Sequence, residues 1–278
     1  MEMLSPKIKQ SLSRIVRGIL FRAYCIVDYA KCHVYYCVIH MTKKKEYRKL
    51  EQLKNKHAGE RVFLIGTGPS LKLDNVKKLR GEYTFALNSF AKGVQALGFE
   101  PSFYGFTDVE VLNDFWGEEI LNLEQSLVFF PSRLRYHTQK KKALSDKGNS
   151  FEYPMLDVGQ WGNFAKKVPA GFSEDITKTV YFGYTCAYAM MQIIVYMGFK
   201  EVYLLGMDCS YKPGKANFMD SRKEEDIAKG SQAGDYFLIA WKKVKEYCDK
   251  ENIKIYNVSR EGNLDMFPRV DMEDIELG

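Results

Sequence analysis

The segment that most constrains the fold runs from Arg61 to Leu71. Its first five residues, Arg61 to Ile65, predict a buried strand because they are mostly apolar and polar residues flank them. Gly66-Thr67-Gly68 then predicts a tight turn, and Pro69 suits the first turn of a following helix. Such a turn offers backbone N–H groups and partial positive charge to a nucleotide phosphate. An ordinary βα turn explains the same residues, since a short Gly-x-Gly turn has low specificity.

The remainder of the chain alternates predicted strands with predicted helices. This order indicates an α/β protein with a Rossmann-like, mostly parallel sheet flanked by helices. The predicted strands are 61–65, 83–88, 102–107, 126–130, 200–206 and 253–257. The predicted helices are 71–79, 89–97, 109–121, 184–197 and 232–250, while 132–180 reads as a less regular insertion.

A glycine turn or polar residues lie at the ends of four of these strands. They are the Gly66–Gly68 turn, Asn88, Asp108 and Asp208. Ligands of parallel α/β sheets bind beyond the carboxyl ends of the strands, so together these ends predict a binding site. Taken singly, each of the three side chains is also a suitable helix cap.

The first 58 residues form a separate basic arm and linker, ahead of a nucleotide-binding catalytic domain over 59–278. Residues 1–60 carry 13 Lys or Arg and five Asp or Glu, which leaves a net charge of −2 for the rest. A near-neutral body argues against nucleic acid as a partner. The longest stretch of the arm without charge, Cys32–Thr42, is well short of the roughly 20 residues that a membrane span needs.

Helical phase explains the arm better than a membrane span does. Its apolar residues fall on one half of a helix and most of its charges on the other. Such a helix suits the surface of an anionic membrane. Packing against the protein's own body or against a second copy of the chain is the alternative. The apolar half comprises Ile15, Val16, Ile19, Leu20, Ala23, Ile26, Val27, Ala30, Val34, Cys37, Val38 and Met41.

Four segments resemble known proteins. Gly66 to Lys72 with Leu87 to Phe90, and Thr185 to Asp208, resemble bacterial sialyltransferases that use CMP-sialic acid. The same segments and Lys254 to Val270 are similar to the larger DUF115 or MptE-like group. That group includes polysaccharide-cluster enzymes, flagellin glycosylation factors and an archaeal 6-hydroxymethylpterin diphosphokinase. The resemblance covers roughly 59–110 and 180–270.

The resemblance implies roles for individual residues. Gly66, Thr67, Gly68 and Ser70 would approach the nucleotide, and Asn88 would hydrogen-bond to its ribose or base. Thr185 and Cys186 would line a cytidine pocket, Asp208 would lie beneath the nucleotide, and Tyr211 would reach the leaving phosphate. The chain departs from the sialyltransferases at Thr67, where they have Asn, and at Cys186, where they have Ser.

The histidine expected in the loop after Asp208 is also missing. Since transfer to a hydroxyl needs a group that takes its proton, Asp108, Asp220 and His137 are the candidates for the general base. The same loop contains Lys212, Lys215, Arg222 and Lys223, which could stabilise a departing phosphate without metal. No cofactor is expected beyond the nucleotide-sugar donor, with a CMP-linked sugar favoured, and no metal site is expected.

The leading interpretation is a glycosyltransferase at the cytoplasmic, inner face of the membrane. It would move a sugar, for example a sialic-acid-like one, from a nucleotide donor to a cell-surface glycan or lipid-linked acceptor. One alternative is an MptE-like pyrophosphokinase in which Asp108 and Asp208 hold Mg²⁺ with ATP. A catalytically inactive nucleotide-binding protein is the other, and a homo-oligomer is compatible with all three.

Overall fold

The computed structural model describes residues 44–108, 110–132, 138–156, 171–209, 233–259 and 262–278. It also describes twelve single positions between 16 and 41, all of them helical. His137, Tyr211 and Asp220 lie outside the described residues, as do the cations of the 212–223 loop.

A seven-stranded, entirely parallel sheet forms the centre of the protein, in the order β5-β4-β3-β2-β1-β8-β9. This confirms the predicted α/β, Rossmann-like class. A short parallel pair, β6 with β7, lies beside it. The strands are β1 (Arg61–Ile65), β2 (Thr84–Leu87), β3 (Phe103–Gly105), β4 (Leu127–Pro131), β5 (Ser150–Tyr153), β6 (Met155–Leu156), β7 (Val180–Tyr181), β8 (Glu201–Leu205) and β9 (Lys254–Asn257).

Short helices follow β1, β2 and β3, and longer ones precede β8 and β9. A 3₁₀ turn (Asn88–Gly93) replaces the first half of the helix predicted at 89–97, and a π-helical turn (Val111–Phe115) begins the one predicted at 109–121. The α-helices are α1 (Lys44–Arg48), α2 (Leu73–Lys77), α3 (Val94–Leu97), α4 (Gly117–Leu121), α5 (Gln139–Ser145), α6 (Cys186–Tyr196) and α7 (Ala233–Lys250).

Both faces of the sheet are covered, which is why its strands read as continuous apolar runs. In β1, Val62 and Leu64 belong to the core beneath α6 and α7, whereas Phe63 and Ile65 belong to the core beneath the short helices. All four are at most 1% exposed. The strand that the sequence predicts most clearly is therefore the central one.

The linker is not wholly exposed, although the charges between residues 43 and 57 predict that it is. Tyr47, Leu50 and Leu53 are buried, with Leu50 and Leu53 in the core that α6 and α7 cover. Backbone hydrogen bonds from Asn55 to Tyr196 and from His57 to Met197 then attach the chain to the end of α6. This apolar triplet spaced by three residues outweighs the surrounding charge. Within the part of the chain that the structure describes, no helix combines the length and apolar character needed to cross a bilayer.

Candidate nucleotide site

The site lies at the point where the chain stops adding strands on one side of β1 and adds β8 and β9 on the other side. β1 pairs with β2 on one side and with β8 on the other, and chain segments leave β1 and β8 at the same edge. Such a switch point opens a crevice at the carboxyl ends of the strands, which is where open α/β sheets bind their ligands. The Gly66–Ser70 turn and the Gly206–Asp208 turn meet at this edge of the sheet.

The two turns are tied together by hydrogen bonds. Gly66 N–H donates to Leu205 O at 2.8 Å, and Gly68 N–H donates to Gly206 O at 2.9 Å. Gly206 has a φ of +62°, a left-handed conformation that glycine adopts without strain. A Cβ on Gly68 would lie 2.4 Å from Asp208 Oδ2 and 2.6 Å from Gly206 O. Glycine at position 68 is thus required by contact with the β8 turn.

Asp208 closes the contact between the turns. It is 4% exposed, its Oδ2 accepts the Ser70 N–H at 2.9 Å, and its Oδ1 accepts the Ser70 hydroxyl. Its own backbone oxygen accepts the Asn263 N–H at 2.9 Å. Asp208 therefore positions the glycine turn, and both of its carboxylate oxygens already have partners.

These bonds correct the phosphate-cradle interpretation of the turn. The N–H groups of Gly66, Gly68 and Ser70 donate to Leu205, Gly206 and Asp208, so they are not directed at a ligand. The expected helix start at Pro69 is also wrong, because Pro69 and Ser70 lie in a turn and α2 begins at Leu73. At five residues, α2 is too short to add a substantial dipole.

Asn88 is the most informative side chain of the site. Ile65 in β1 lies opposite Ala86 in β2, so Thr67 and Asn88 each come two residues beyond this pair on adjacent strands. Asn88 has a left-handed φ of +46°, and the Tyr104 hydroxyl donates to its backbone oxygen. Its side-chain Oδ1 is buried and has no hydrogen-bond partner among the described residues. An unpaired buried acceptor costs about 1–3 kcal/mol.

The third strand contributes Thr107 and Asp108. Gly105 pairs with Leu87, so Asp108 lies three residues beyond the end of β3. Asp108 is exposed, whereas Thr107 is buried. β3 is two strands away from β1, or roughly 10 Å at the usual spacing of about 4.8 Å. Asp108 is accordingly displaced from the end of β1 by about that distance.

The N-terminus of α6 lies behind these strand ends. Thr185 is its half-buried N-cap residue, and the hydroxyl of Thr185 makes no capping hydrogen bond. Cys186 is 5% exposed, and its Sγ lies 3.5 Å from Gly105 O. Burial raises the pKa of this thiol to about 12, and hydrogen bonds from Thr107 offset only part of that rise. The Cys186 side chain therefore joins α6 to β3 and does not line an open pocket.

Sequence reasoning missed the support that the segment after β9 gives to the site. The Ser259 hydroxyl accepts the Met207 N–H at 3.2 Å, and Ser259 N–H donates to Asn257 Oδ1 at 3.0 Å. The signal was available, since Asn257 is the last residue of a predicted strand and Ser259 is a polar residue just after it. Tyr104 was missed as well, and a tyrosine in the middle of an apolar strand gives no signal of its role.

Comparison with known proteins adds a family and a set of similar folds. A model of the family described as 6-hydroxymethylpterin diphosphokinase MptE-like matches residues 38–214. No curated protein sequence matches the chain.

Two similar solved structures are bacterial enzymes. The MAf glycosyltransferase from Magnetospirillum magneticum AMB-1 is 14% identical with a TM-score of 0.49; the match covers 84% of this chain and 39% of that protein. The sialyltransferase CstII from Campylobacter jejuni, in complex with cytidine-5'-monophosphate, is 16% identical with a TM-score of 0.46; coverage is 77% and 85%.

Proposed function

The chain belongs to the 6-hydroxymethylpterin diphosphokinase MptE-like family, and on that premise we propose that it is a transferase that takes its group from a nucleotide. The reaction we favour is glycosyl transfer. A sugar, for example a sialic-acid-like one, would move from a nucleotide-sugar donor to a cell-surface glycan or lipid-linked acceptor.

One observation carries this proposal, namely the unpaired Oδ1 of Asn88 at the edge of the crevice. A buried amide oxygen is normally hydrogen-bonded, so this atom lacks a donor. A ribose hydroxyl or the amino group of a base would supply one. The Tyr104 hydroxyl donates to the backbone oxygen of Asn88 and so holds the left-handed backbone that carries this side chain. Prearranged polar groups of this kind are what a nucleotide pocket needs.

The positions of the strand ends suggest how a donor would lie. The nucleoside would occupy the end of β1 and β2, near Thr67 and Asn88, with Thr185 on the side of α6. The sugar would then extend towards β3 and Asp108. We favour a CMP-linked donor because the sequence segments that form this crevice resemble sialyltransferases that use CMP-sialic acid.

The proposed reaction is a displacement at the anomeric carbon. The acceptor oxygen forms the new bond to that carbon while the bond to the phosphate oxygen breaks, and CMP leaves with the electron pair. A base takes the proton of the acceptor hydroxyl, and we assign this to Asp108 ahead of Asp220 and His137. Tyr211 and the lysines and arginine of the 212–223 loop would stabilise the charge on the leaving phosphate. This chemistry needs no metal.

A pyrophosphokinase is the second candidate, because the family description names that activity. It requires Mg²⁺, which binds through carboxylates and substrate phosphates. Asp108 and Asp208 do not fit a shared ion: their strands β3 and β8 are three strand spacings apart, roughly 14 Å. Asp208 is moreover occupied by Ser70. No group of three metal-binding side chains occurs among the described residues.

Thermal shift with single nucleotides tests the proposal. CMP and CMP-linked sugars should raise the melting temperature of the whole chain, and ATP with Mg²⁺ should not. Incubation of a CMP-sugar with a glycan acceptor should then release CMP, and EDTA should leave the rate unchanged. If only ATP with Mg²⁺ raises the melting temperature, the protein is instead a pyrophosphokinase. Binding of CMP with no turnover on any acceptor would favour an inactive nucleotide-binding protein.

We also propose that the enzyme works on the cytoplasmic, inner face of the membrane. A lipid-linked acceptor is held in the plane of the bilayer, so an enzyme attached to that surface meets it at high local concentration.

A further inference from the structure

The exposed apolar residues of this protein are concentrated in the arm. Ten large apolar side chains are exposed among the described residues, and all but Tyr83 and Ile239 lie between positions 16 and 41. Leu20 and Ile26 are each 64% exposed, and Met41 is 74% exposed. The full set in the arm is Val16, Ile19, Leu20, Ile26, Val27, Val34, Val38 and Met41. Packing on the protein's own body therefore does not cover this face.

These residues form one continuous stripe. All are helical, and at about 100° per residue they fall within a sector of roughly 120°. Ala23, Ala30 and Cys37 are also helical and exposed, and they fall in the same sector. A contiguous apolar surface of this length is far more than scattered exposed side chains, and it indicates a surface that is covered in use.

We propose that this stripe docks the protein on an anionic bilayer surface. Residues 1–41 contain six Lys or Arg and only two acidic residues. The arm is therefore attracted to anionic headgroups. Arg17, Arg22, Asp28 and Lys31 interrupt its apolar sequence, which suits a helix that lies in the interface. This inference concerns where the chain works and does not depend on which group it transfers.

A second copy of the chain is the serious alternative occupant. The apolar positions 16, 20, 23, 27, 30, 34, 37 and 41 alternate steps of four and three, which is the spacing of a coiled-coil seam. By that register, however, the flanking positions contain Arg17, Lys31, His33 and His40 and no acidic residue. A paired helix would therefore bring like charges together with no oppositely charged partner. Ile19 and Ile26 also make the stripe wider than a two-stranded seam.

The segment that connects the stripe to the body is short, so docking of the stripe also determines where the body lies. Met41 ends the stripe, and Tyr47, six residues later, is buried in the body. Six residues span at most about 22 Å even when fully extended, so the end of the stripe stays close to the body. Lys43, Lys44 and Lys45 occupy the interval, where headgroups would meet them. Docking of the stripe thus holds the body against the bilayer.

The test is co-sedimentation of the full chain with vesicles of phosphatidylcholine mixed with phosphatidylglycerol. Leu20→Glu with Val27→Glu places two charges in the stripe. The matched control is Cys25→Glu with Cys32→Glu, which adds the same charges at the same spacing on the opposite phase of the helix. We expect the stripe variant to lose more than about tenfold in vesicle affinity and the control to lose much less. Pure phosphatidylcholine vesicles should bind wild type weakly.

Three outcomes would overturn the inference. Equal losses of vesicle affinity in the two variants would show that the added charge, and not its position in the stripe, weakens binding. Wild-type binding that does not change with the phosphatidylglycerol content would show that electrostatic attraction does not contribute. If sedimentation velocity shows that wild type is a dimer and the stripe variant a monomer, the stripe is an interface with a second copy of the chain. Melting temperature and CMP-induced stabilisation of each variant, measured without vesicles, separate these results from a failure of folding or of the proposed reaction.

Discussion

Ser70 and Asp208 are linked twice, through the backbone N–H and through the hydroxyl of Ser70, although 138 residues separate them in sequence. This pair joins the turn after β1 to the turn after β8. The shape of this edge of the sheet thus depends on a buried carboxylate whose two oxygens both accept hydrogen bonds from Ser70.

Asp208→Ala should weaken both the fold and nucleotide binding. It leaves two Ser70 donors without an acceptor, a loss of about 1–3 kcal/mol in the free energy of unfolding. Ser70→Ala removes only the hydroxyl bond and should cost less. Urea denaturation and nucleotide titration of both single variants and the double variant measure the coupling. Purely additive losses would show that the two side chains act separately.

Gly68→Ala should destabilise the protein as well as impair binding, because its Cβ would collide with Asp208 and Gly206 O. Gly148→Ala is the matched control, since a Cβ there meets nothing within 4 Å. We expect a fall of several degrees in melting temperature for Gly68→Ala alone. A variant that melts like wild type but fails to bind nucleotide would place that Cβ in the path of the ligand.

Asn88→Gly separates binding from stability. Glycine keeps the left-handed backbone without strain and removes the unpaired Oδ1, so the melting temperature should hold or rise. Nucleotide affinity should fall about tenfold, the value of one hydrogen bond to a buried acceptor. Isothermal titration measures the affinity. Unchanged affinity would mean that the oxygen has no ligand.

Asp108→Asn should reduce turnover by roughly 10²–10⁴-fold with little change in donor affinity, since it keeps the shape and removes the base. Single-turnover assays with Asp220→Asn and His137→Ala identify the base among the three. If Asp108→Asn is fully active and His137→Ala is inactive, His137 is the general base.

Three thiols should resist alkylation in the native protein. Burial raises the pKa of Cys186, Cys209 and Cys248 to about 12, from an ordinary value of 9.0. Because the fold favours the neutral thiols, their contribution to stability should be constant below about pH 9 and should be lost as the pH rises towards about 12. Cys37 is exposed. Peptide mass spectrometry after maleimide treatment at neutral pH should find Cys37 modified, and the buried Cys186 and Cys248 and the half-buried Cys209 intact.

The sequence predicts this sheet well because the parallel strands are buried on both faces. Strand β1 was predicted to the residue, and β8 and β9 within one residue at each end. The edge strand β5 was missed because Ser150 to Tyr153 contains a glutamate. In the structure Glu152 is buried with Lys141, its Oε1 3.0 Å from the Lys141 Nζ. An ion pair across elements cannot be read from either residue alone.

The sequence predicts where the site lies but not the role of each residue in it. Polar residues at strand ends identify the edge of the sheet, because parallel strands end on one side. Which amides remain available depends on partners far away in sequence, such as Leu205 for Gly66 and Gly206 for Gly68. The sequence therefore locates the crevice, while the roles of Asp208 and Tyr104 depend on tertiary contacts.

The central position of β1 also has a consequence for synthesis of the chain. While residues 61–153 emerge, β1 to β5 can pair in sequence order, but the other edge of β1 has no neighbour until β8 is made. An unpaired, mostly apolar strand edge readily recruits other chains. At about 5–20 residues per second, β1 waits several seconds on the ribosome for its partner. Aggregation during expression should thus depend on translation speed between β5 and β8 more than on the final stability of the protein.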